Sequence, residues 1–136
     1  MNDMKVELRT FKEKQIKASE VMELYKDAGW WNERTEQDME KMLSQALAVG
    51  AWKNNTLIGF ARAISDGIFR AYIEDVVIHS SYNRKGIGTQ LIDKLLKELS
   101  DIDVISLFCE EDLITFYSKN EFKKSKSQFV LHKVKR

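Results

Sequence analysis

The 136-residue chain has no proline and a single cysteine. Without proline, every turn must be made by Gly, Asn, Asp or Ser. Cys109 alone cannot form an internal disulfide, and no second Cys lies nearby to build a metal knuckle. His79 and His132 have no partner set for metal or triad chemistry, so no metal site is expected. Charge of either sign is also missing in net terms. With 22 Lys+Arg against 21 Asp+Glu the formal charge is +1, which gives no global electrostatic case for nucleic acid as a partner. No segment approaches the ~20 apolar residues that span a bilayer. Met1-Asn2-Asp3-Met4-Lys5 lacks the apolar run of a signal peptide. These absences lead to the expectation of a cytoplasmic domain with no membrane partner.

What is present suits one domain over residues 1–136. Hydrophobic residues make up 43% of the chain, too many for whole-chain disorder and enough for one core. Met4, Val6 and Leu8 share one face of a predicted strand over 4–9. Ser19 is the expected N-cap of a helix carrying Val21, Met22, Leu24, Tyr25 and Ala28, which Gly29 ends. Thr35 opens a second helix with an acidic first turn and a core stripe of Met39, Met42, Leu43, Ala46 and Leu47. Strand-like runs follow at 48–53, 56–64 and 68–79. Asn54-Asn55 and Asp66-Gly67 are turn signals that join them into an antiparallel meander. Ile73, Val76, Val77 and Ile78 make the last run apolar on both faces, as in a strand covered on both sides. Residues 86–99 form the clearest helix, with Ile87, Leu91, Ile92, Leu95, Leu96 and Leu99 on one stripe. Residues 103–109 read as another strand, and 113–119 as a short helix closed by a left-handed Asn120. Residues 122–135 read as two final strands. The order predicts a mixed α/β domain.

The informative segment is Val76-Val77-Ile78-His79-Ser80-Ser81-Tyr82-Asn83-Arg84-Lys85-Gly86-Ile87-Gly88-Thr89. A buried strand runs into a glycine-containing loop that becomes the first turn of a long helix. Helix starts carry unpaired N–H groups and a positive dipole end. Two glycines let a ligand approach the backbone, and Arg84 and Lys85 add charge. The combination suits a phosphate or pyrophosphate. It is neither a G-x-x-x-x-G-K-[ST] loop nor a dinucleotide fingerprint, since Leu91 stands where the third glycine would be. The plainer alternative is a helix start with small residues for packing.

Asn83-Arg84-Lys85-Gly86-Ile87-Gly88 resembles the Gln/Arg-x-x-Gly-x-Gly/Ala signature of the GCN5-related N-acetyltransferase (GNAT) family, with Asn in the first place. Tyr82 before it is typical of small members, and Ser81 stands where many have Pro. Farther on, Phe116-Tyr117-Ser118-Lys119-Asn120-Glu121-Phe122 resembles the family's F-Y-x-K-x-G-F, with Glu121 in place of Gly. The order of elements agrees over nearly the whole chain. The resemblance implies a central, mostly antiparallel sheet of six or seven strands, splayed between strands 4 and 5 and flanked by about four helices. It implies acetyl-CoA as co-substrate. Its pantetheine arm would bond to backbone at Val76, Val77 and Ile78. Its pyrophosphate would sit on N–H groups of Asn83, Arg84, Lys85, Gly86, Ile87, Gly88 and Thr89.

Acetyl transfer to an amine needs a base for the ammonium proton, an acid for the leaving thiolate and a donor for the carbonyl oxygen. By resemblance the donor is a backbone N–H near Val76 and the acid is Tyr117. The alternative for Tyr117 is a core aromatic beside Phe116. Tyr72-Ile73-Glu74-Asp75 resembles the Tyr-Leu-Glu-Asp of polyamine acetyltransferases and makes Glu74 the expected base. The alternative for Glu74 is an ion pair with Arg62 or Arg70. Strand alternation puts Glu74 and Asp75 on opposite faces. Asp75 is the second candidate, because Ala63-Ile64-Ser65-Asp66 with Asp75-Val76 echoes plant serotonin-type acetyltransferases.

Trp30 and Trp31 sit between the first two helices, where they either line an acceptor pocket or close the core. Cys109 is expected to be a small buried hydrophobe that could lie near the CoA thiol. Residues 122–136 hold Lys123, Lys124, Lys126, Lys133, Lys135 and Arg136 and no acid, a run that suits a solvated strand face. The reading is an N-acetyltransferase for a primary amine, with a possible homodimer. The alternatives are a non-catalytic acyl-CoA-binding or regulatory module of the same fold and, third, a nucleic-acid binder.

Overall fold

A computed structural model describes residues 5–135. The elements in chain order are β1 (Glu7–Thr10), α1 (Ala18–Ala28), α2 (Glu36–Gln45), β2 (Leu47–Lys53), β3 (Thr56–Ser65), β4 (Arg70–Ile78), α3 (Ile87–Glu98), β5 (Val104–Leu107) and α4 (Ile114–Ser118). Short 3-10 turns at Ser80–Tyr82 and Glu111–Leu113 precede α3 and α4. One sheet runs in the order β1-β2-β3-β4-β5. Its pairs are antiparallel except β4–β5, which is parallel.

Local chemistry accounts for most boundaries. Thr35 Oγ1 accepts the Asp38 N–H and caps α2 as expected. Asn54 and Asn55 both take left-handed φ, 52° and 64°, which makes the two-residue hairpin between β2 and β3. Asp66 Oδ1 accepts the N–H groups of Ile68, Phe69 and Arg70 and closes the next turn. Gly29 at φ 78° ends α1. That helix starts one residue before Ser19, with Lys17 as its N-cap and no side-chain bond; Ser19 is a helical residue.

The sheet separates two cores, as the two-faced apolarity of β4 predicts. On one side α3 packs Leu91, Ile92 and Leu95 against Val49, Ala61 and Ile73. On the other, α1 and α2 pack Val21, Leu24, Met39 and Leu43 against Phe60 and Val77. Each buried Leu or Ile contributes about 1.5–3 kcal/mol by leaving water.

Four expectations are corrected. The sheet has five strands among the described residues, not six or seven. Residues 122–135 form no strand there, and Phe129 and Leu131 are 89% and 91% exposed. The left-handed residue after α4 is Glu121 (φ 70°), not Asn120; it adopts the backbone for which relatives use Gly. Cys109 is exposed, and β5 ends before it. Met4 lies outside the described residues.

Candidate active site

Two irregularities in β4 make the site. The first is the end of its pairing with β5. The ladder runs from Arg70↔Val104 to Ile73↔Leu107 and stops, so among the described residues no strand pairs with that edge of β4 from Glu74 to Ile78. This is the splay that the family resemblance implies. The second is a bulge. Between the Phe60↔Val77 and Arg62↔Glu74 pairs, β4 carries one residue more than β3, and Asp75 has φ 58°. A non-glycine residue there costs about 1–2 kcal/mol, so something must hold it.

A buried network holds it. Arg62 donates from Nε to Asp75 Oδ2 at 2.8 Å and from Nη2 to Glu74 Oε2 at 2.6 Å. The Tyr25 hydroxyl donates to Asp75 Oδ2 at 2.8 Å, and Arg34 reaches the same oxygen at 3.4 Å. The Tyr72 hydroxyl donates to Glu74 Oε1 at 2.8 Å. The bulge therefore brings Glu74 and Asp75 to one guanidinium, contrary to the opposite faces that plain alternation predicts. Burial works against the charge on Arg62, yet its bonds to Asp75 and Glu74 leave its pKa raised. Burial raises the Tyr25 hydroxyl, and Asp75 beside it adds to the shift. The Tyr72 hydroxyl is pushed up to about 12, by burial first and the Glu74 bond second.

The splay opens a cleft of about 670 Å³. It brings together Glu74, Asp75, Val76 and Tyr117 with Trp30 and Trp31. Tyr117 is 9% exposed, with Phe116 at 4.8 Å and Phe122 at 6.1 Å between ring centroids. Burial, then the neighbouring Cys109 thiol, pushes its hydroxyl up to about 12. Trp30 packs against the α1–α2 core and also lines the cleft. Trp31 is 41% exposed at φ 53°, with the Arg34 guanidinium 4.2 Å over its ring.

The loop from Asn83 to Thr89 lies at the other end of the β4 edge. Gly86 caps α3 at φ 81° with open space where a Cβ would stand. No side chain caps this helix, so the N–H groups of Ile87, Gly88 and Thr89 are available to an anion. Arg84 (φ 64°) and Lys85 are exposed beside them. Gly88 serves packing instead, because a Cβ there would stand 3.1 Å from Phe116 Cζ. It lets the α4 aromatics close on α3, linking the two sequence motifs. Asp27 of α1 anchors the loop, accepting the Ser80 N–H and hydroxyl at 2.8 Å each. Those two bonds hold the Asp27 carboxyl below the usual range. His79 accepts the Ser81 N–H through Nδ1 and lies 3.6 Å from Asp27, a structural role.

Acetyl-CoA can be tested against these features. The uncapped α3 N-terminus fits a pyrophosphate, and the unpaired β4 edge at Val76, Val77 and Ile78 fits an added strand-like arm. The residues present fit the group.

Residues 14–122 match the model of the Acetyltransferase (GNAT) family. The chain belongs to this family. It is 33% identical over 115 residues to a protein of Pyropia yezoensis named "Uncharacterized N-acetyltransferase ycf52", an alignment that covers 80% of this chain and 66% of that protein. The chain spans no more than about two thirds of the length of such curated relatives. A GNAT-family acetyltransferase of Streptococcus pneumoniae has the same fold, with a TM-score of 0.84 and 23% identity over 97% of this chain and 99% of that one. So does a Clostridium acetobutylicum protein described as a predicted acetyltransferase and solved with acetyl-CoA; its TM-score is 0.69 and its identity 18%, over 94% of this chain and 96% of that one.

Sequence reasoning missed Tyr25, Arg34 and Glu110 as site residues. Tyr25 and Arg34 join through the bulge, which no local pattern announces. Glu110 lines the cleft but reads in sequence as a solvated loop residue after a strand. The acidic run Glu110-Glu111-Asp112 was the available signal.

Proposed function

We propose that this GNAT chain is an N-acetyltransferase that moves an acetyl group from acetyl-CoA to the primary amine of a small acceptor. The observation that carries this reading is the cleft at the β4–β5 splay, which gathers Glu74, Tyr117 and the unpaired β4 edge beside the open N-terminus of α3. When bound, acetyl-CoA supplies an activated thioester. The N–H groups of residues 84–89 would hold its pyrophosphate, helped by the Arg84 and Lys85 side chains, whereas the Asn83 N–H already donates to the Ser80 carbonyl at 3.4 Å. The backbone of Val76, Val77 and Ile78 holds its arm. The backbone N–H of Val76, which lines the cleft beside the bulge, would be the donor for the carbonyl oxygen. Tyr117 donates to the leaving sulfur.

Glu74 takes the ammonium proton, directly or through one water. Each of its oxygens accepts one donor, Oε2 from Arg62 and Oε1 from Tyr72, and each keeps acceptor capacity for another. Asp75 is far less accessible, with its side chain 2% exposed and three donors on Oδ2. We read it as the fixture of the bulge.

Release of free CoA thiol over an amine panel tests this reading; acetyl-CoA binding without release would favour the acyl-CoA-binding module instead. Glu74→Gln is expected to lower kcat by about 10²-fold or more with acetyl-CoA binding by calorimetry unchanged. Asp75→Asn is expected to lower Tm more than kcat; a loss of kcat in Asp75→Asn alone would exchange the two roles. Gly86→Glu is expected to weaken acetyl-CoA binding at least about tenfold by calorimetry, since it adds a carboxylate at an anion site and a side chain at φ 81°. Gly86→Asn, which tolerates that backbone, separates the two causes. Unchanged affinity in Gly86→Glu would remove the loop from the site.

A further inference from the structure

We infer that Glu110 holds the ammonium of the acceptor and that the cleft selects amines carrying no anionic group. The inference rests on the acetyl-transfer reading above and narrows its acceptor.

Three carboxylates line the cleft: Glu74, Asp75 and Glu110. The first two are already matched. Arg62 bridges both, and Arg34 adds a second positive charge at Asp75. Two acids and two guanidinium groups leave that network formally neutral. Glu110 is different. Among the described residues no Lys, Arg or His lies within ion-pair distance of it. Glu110 is therefore an exposed carboxylate in the cleft wall, the one of the three with no ion-pair partner among the described residues.

Its position is set by the splay. The last β4–β5 pair is Ile73↔Leu107 in a parallel ladder. Glu74 is the next residue on one strand, and Glu110 is three residues on from the other, so both stand at the same open end. Among the described residues no Lys or Arg lines the cleft. Apart from Gly29 and the Cys109 thiol, the remaining lining side chains are aromatic or aliphatic. Phe108 is 52% exposed and packs 5.0 Å from Tyr72 between ring centroids. Arg34 already covers a face of Trp31, which leaves the Phe108–Tyr72 pair as the apolar floor for an acceptor.

A further feature points into the same space. Tyr117 is more than nine-tenths buried and lines the cleft. Burial and the Cys109 thiol account for the shift of its hydroxyl, with no hydrogen bond among the causes. The hydroxyl makes no hydrogen bond to another described residue, so it is free to bond a molecule in the cleft.

The charge balance then decides which ligand. An acceptor ammonium gains a direct partner in Glu110 and, near the rings, a cation–π contribution. A carboxylate or phosphate on the acceptor would be brought beside Glu110 with no cation in the lining to match it, which is the like-charge arrangement that rejects a partner. An amine is accepted and its α-carboxylated counterpart refused.

The test uses the full chain and two probe pairs: phenethylamine against phenylalanine, and 1,5-diaminopentane against lysine. CoA thiol release gives kcat/KM for each, and calorimetry gives phenethylamine binding without turnover. At least one amine is expected to exceed its amino acid by about 10²-fold in kcat/KM. Glu110→Gln is expected to raise KM for that amine, and to weaken phenethylamine binding, about tenfold or more, with KM for acetyl-CoA unchanged. Glu110→Lys is expected to reverse the preference toward the amino acid. Equal use of amine and amino acid by the wild type, or an unchanged amine KM in Glu110→Gln, overturns the inference while acetyl transfer stands. No thiol release with any of the four probes removes the acetyl-transfer reading for small amines and this inference with it.

Discussion

Replacing Arg62 by methionine is expected to destabilise the fold by about 3–5 kcal/mol, read as a fall in Tm on the order of 10 °C. Arg62 is 6% exposed and Asp75 8% exposed. Methionine fills much of the aliphatic volume but leaves Asp75 with only the Tyr25 hydroxyl and the longer Arg34 contact. A buried carboxylate short of its main cation is costly. It is also the residue at φ 58°, so the backbone strain of the bulge loses its restraint at the same step. The double variant Arg62→Met with Asp75→Asn distinguishes this cause from a simple packing loss. Removing the orphaned charge is expected to recover part of the stability, giving a coupling of about 1–3 kcal/mol. A loss below about 1 kcal/mol in the single variant, the size of an ordinary surface pair, would show that the network does not hold the bulge. Thiol release should fall beyond the loss of folded protein, because Asp75, Val76 and Glu74 of the relaxed bulge all line the cleft.

That network also marks the limit of what sequence could tell. The stripe on α3, the Thr35 cap and the Asn54-Asn55 turn are local, and each was legible because its cause lies within a few residues. The bulge was not. Its extra residue is Asp75, which carries none of the glycine signal that usually announces a left-handed position. The partners that stabilise it, Tyr25 and Arg62, lie on other elements. Plain alternation therefore assigned Glu74 and Asp75 to opposite faces, whereas the structure joins them at Arg62. The alternating run at 129–134 misled in the other direction. Alternation gives a strand its two faces, but a strand also needs an edge, and among the described residues this segment meets none. Glu110 shows a third kind of limit. A charged residue just after a strand is ordinarily exposed, as Glu110 is, and its place in the cleft wall follows only from the early end of the β4–β5 ladder at Leu107. For the candidate site, the glycine loop was readable from residue types. Glu74 and Tyr117 entered through resemblance, and the cleft that gathers them is a property of the sheet.

Tyr117→Phe is expected to lower kcat by about 10²-fold while leaving the KM for acetyl-CoA and the Tm nearly unchanged. The stability half of this expectation follows from the hydroxyl's surroundings. No hydrogen bond to a protein group shifts it, so its removal orphans nothing, and phenylalanine keeps the contacts with Phe116 and Phe122. The catalytic half follows from acidity. Burial favours the neutral phenol and raises its pKa to about 12. The proton is therefore present throughout the neutral range and is lost only as pH climbs toward that value. Wild-type activity should show no decline from Tyr117 anywhere between neutrality and the ordinary phenol pKa of ~10. An ordinary thiol has a pKa near ~8.5, so full proton transfer from this phenol to a free thiolate is uphill. In the proposed reaction Tyr117 would then contribute mainly a hydrogen bond that strengthens as negative charge develops on sulfur, a gain realised in the transition state and not in the ground state. This is why kcat moves and the KM for acetyl-CoA does not. An acyl donor with a more acidic thiol leaving group has less charge to stabilise, and the Tyr117→Phe defect should shrink with it. A defect that stays constant across leaving groups would place Tyr117 in binding or packing, and an unchanged kcat would remove it from the chemistry.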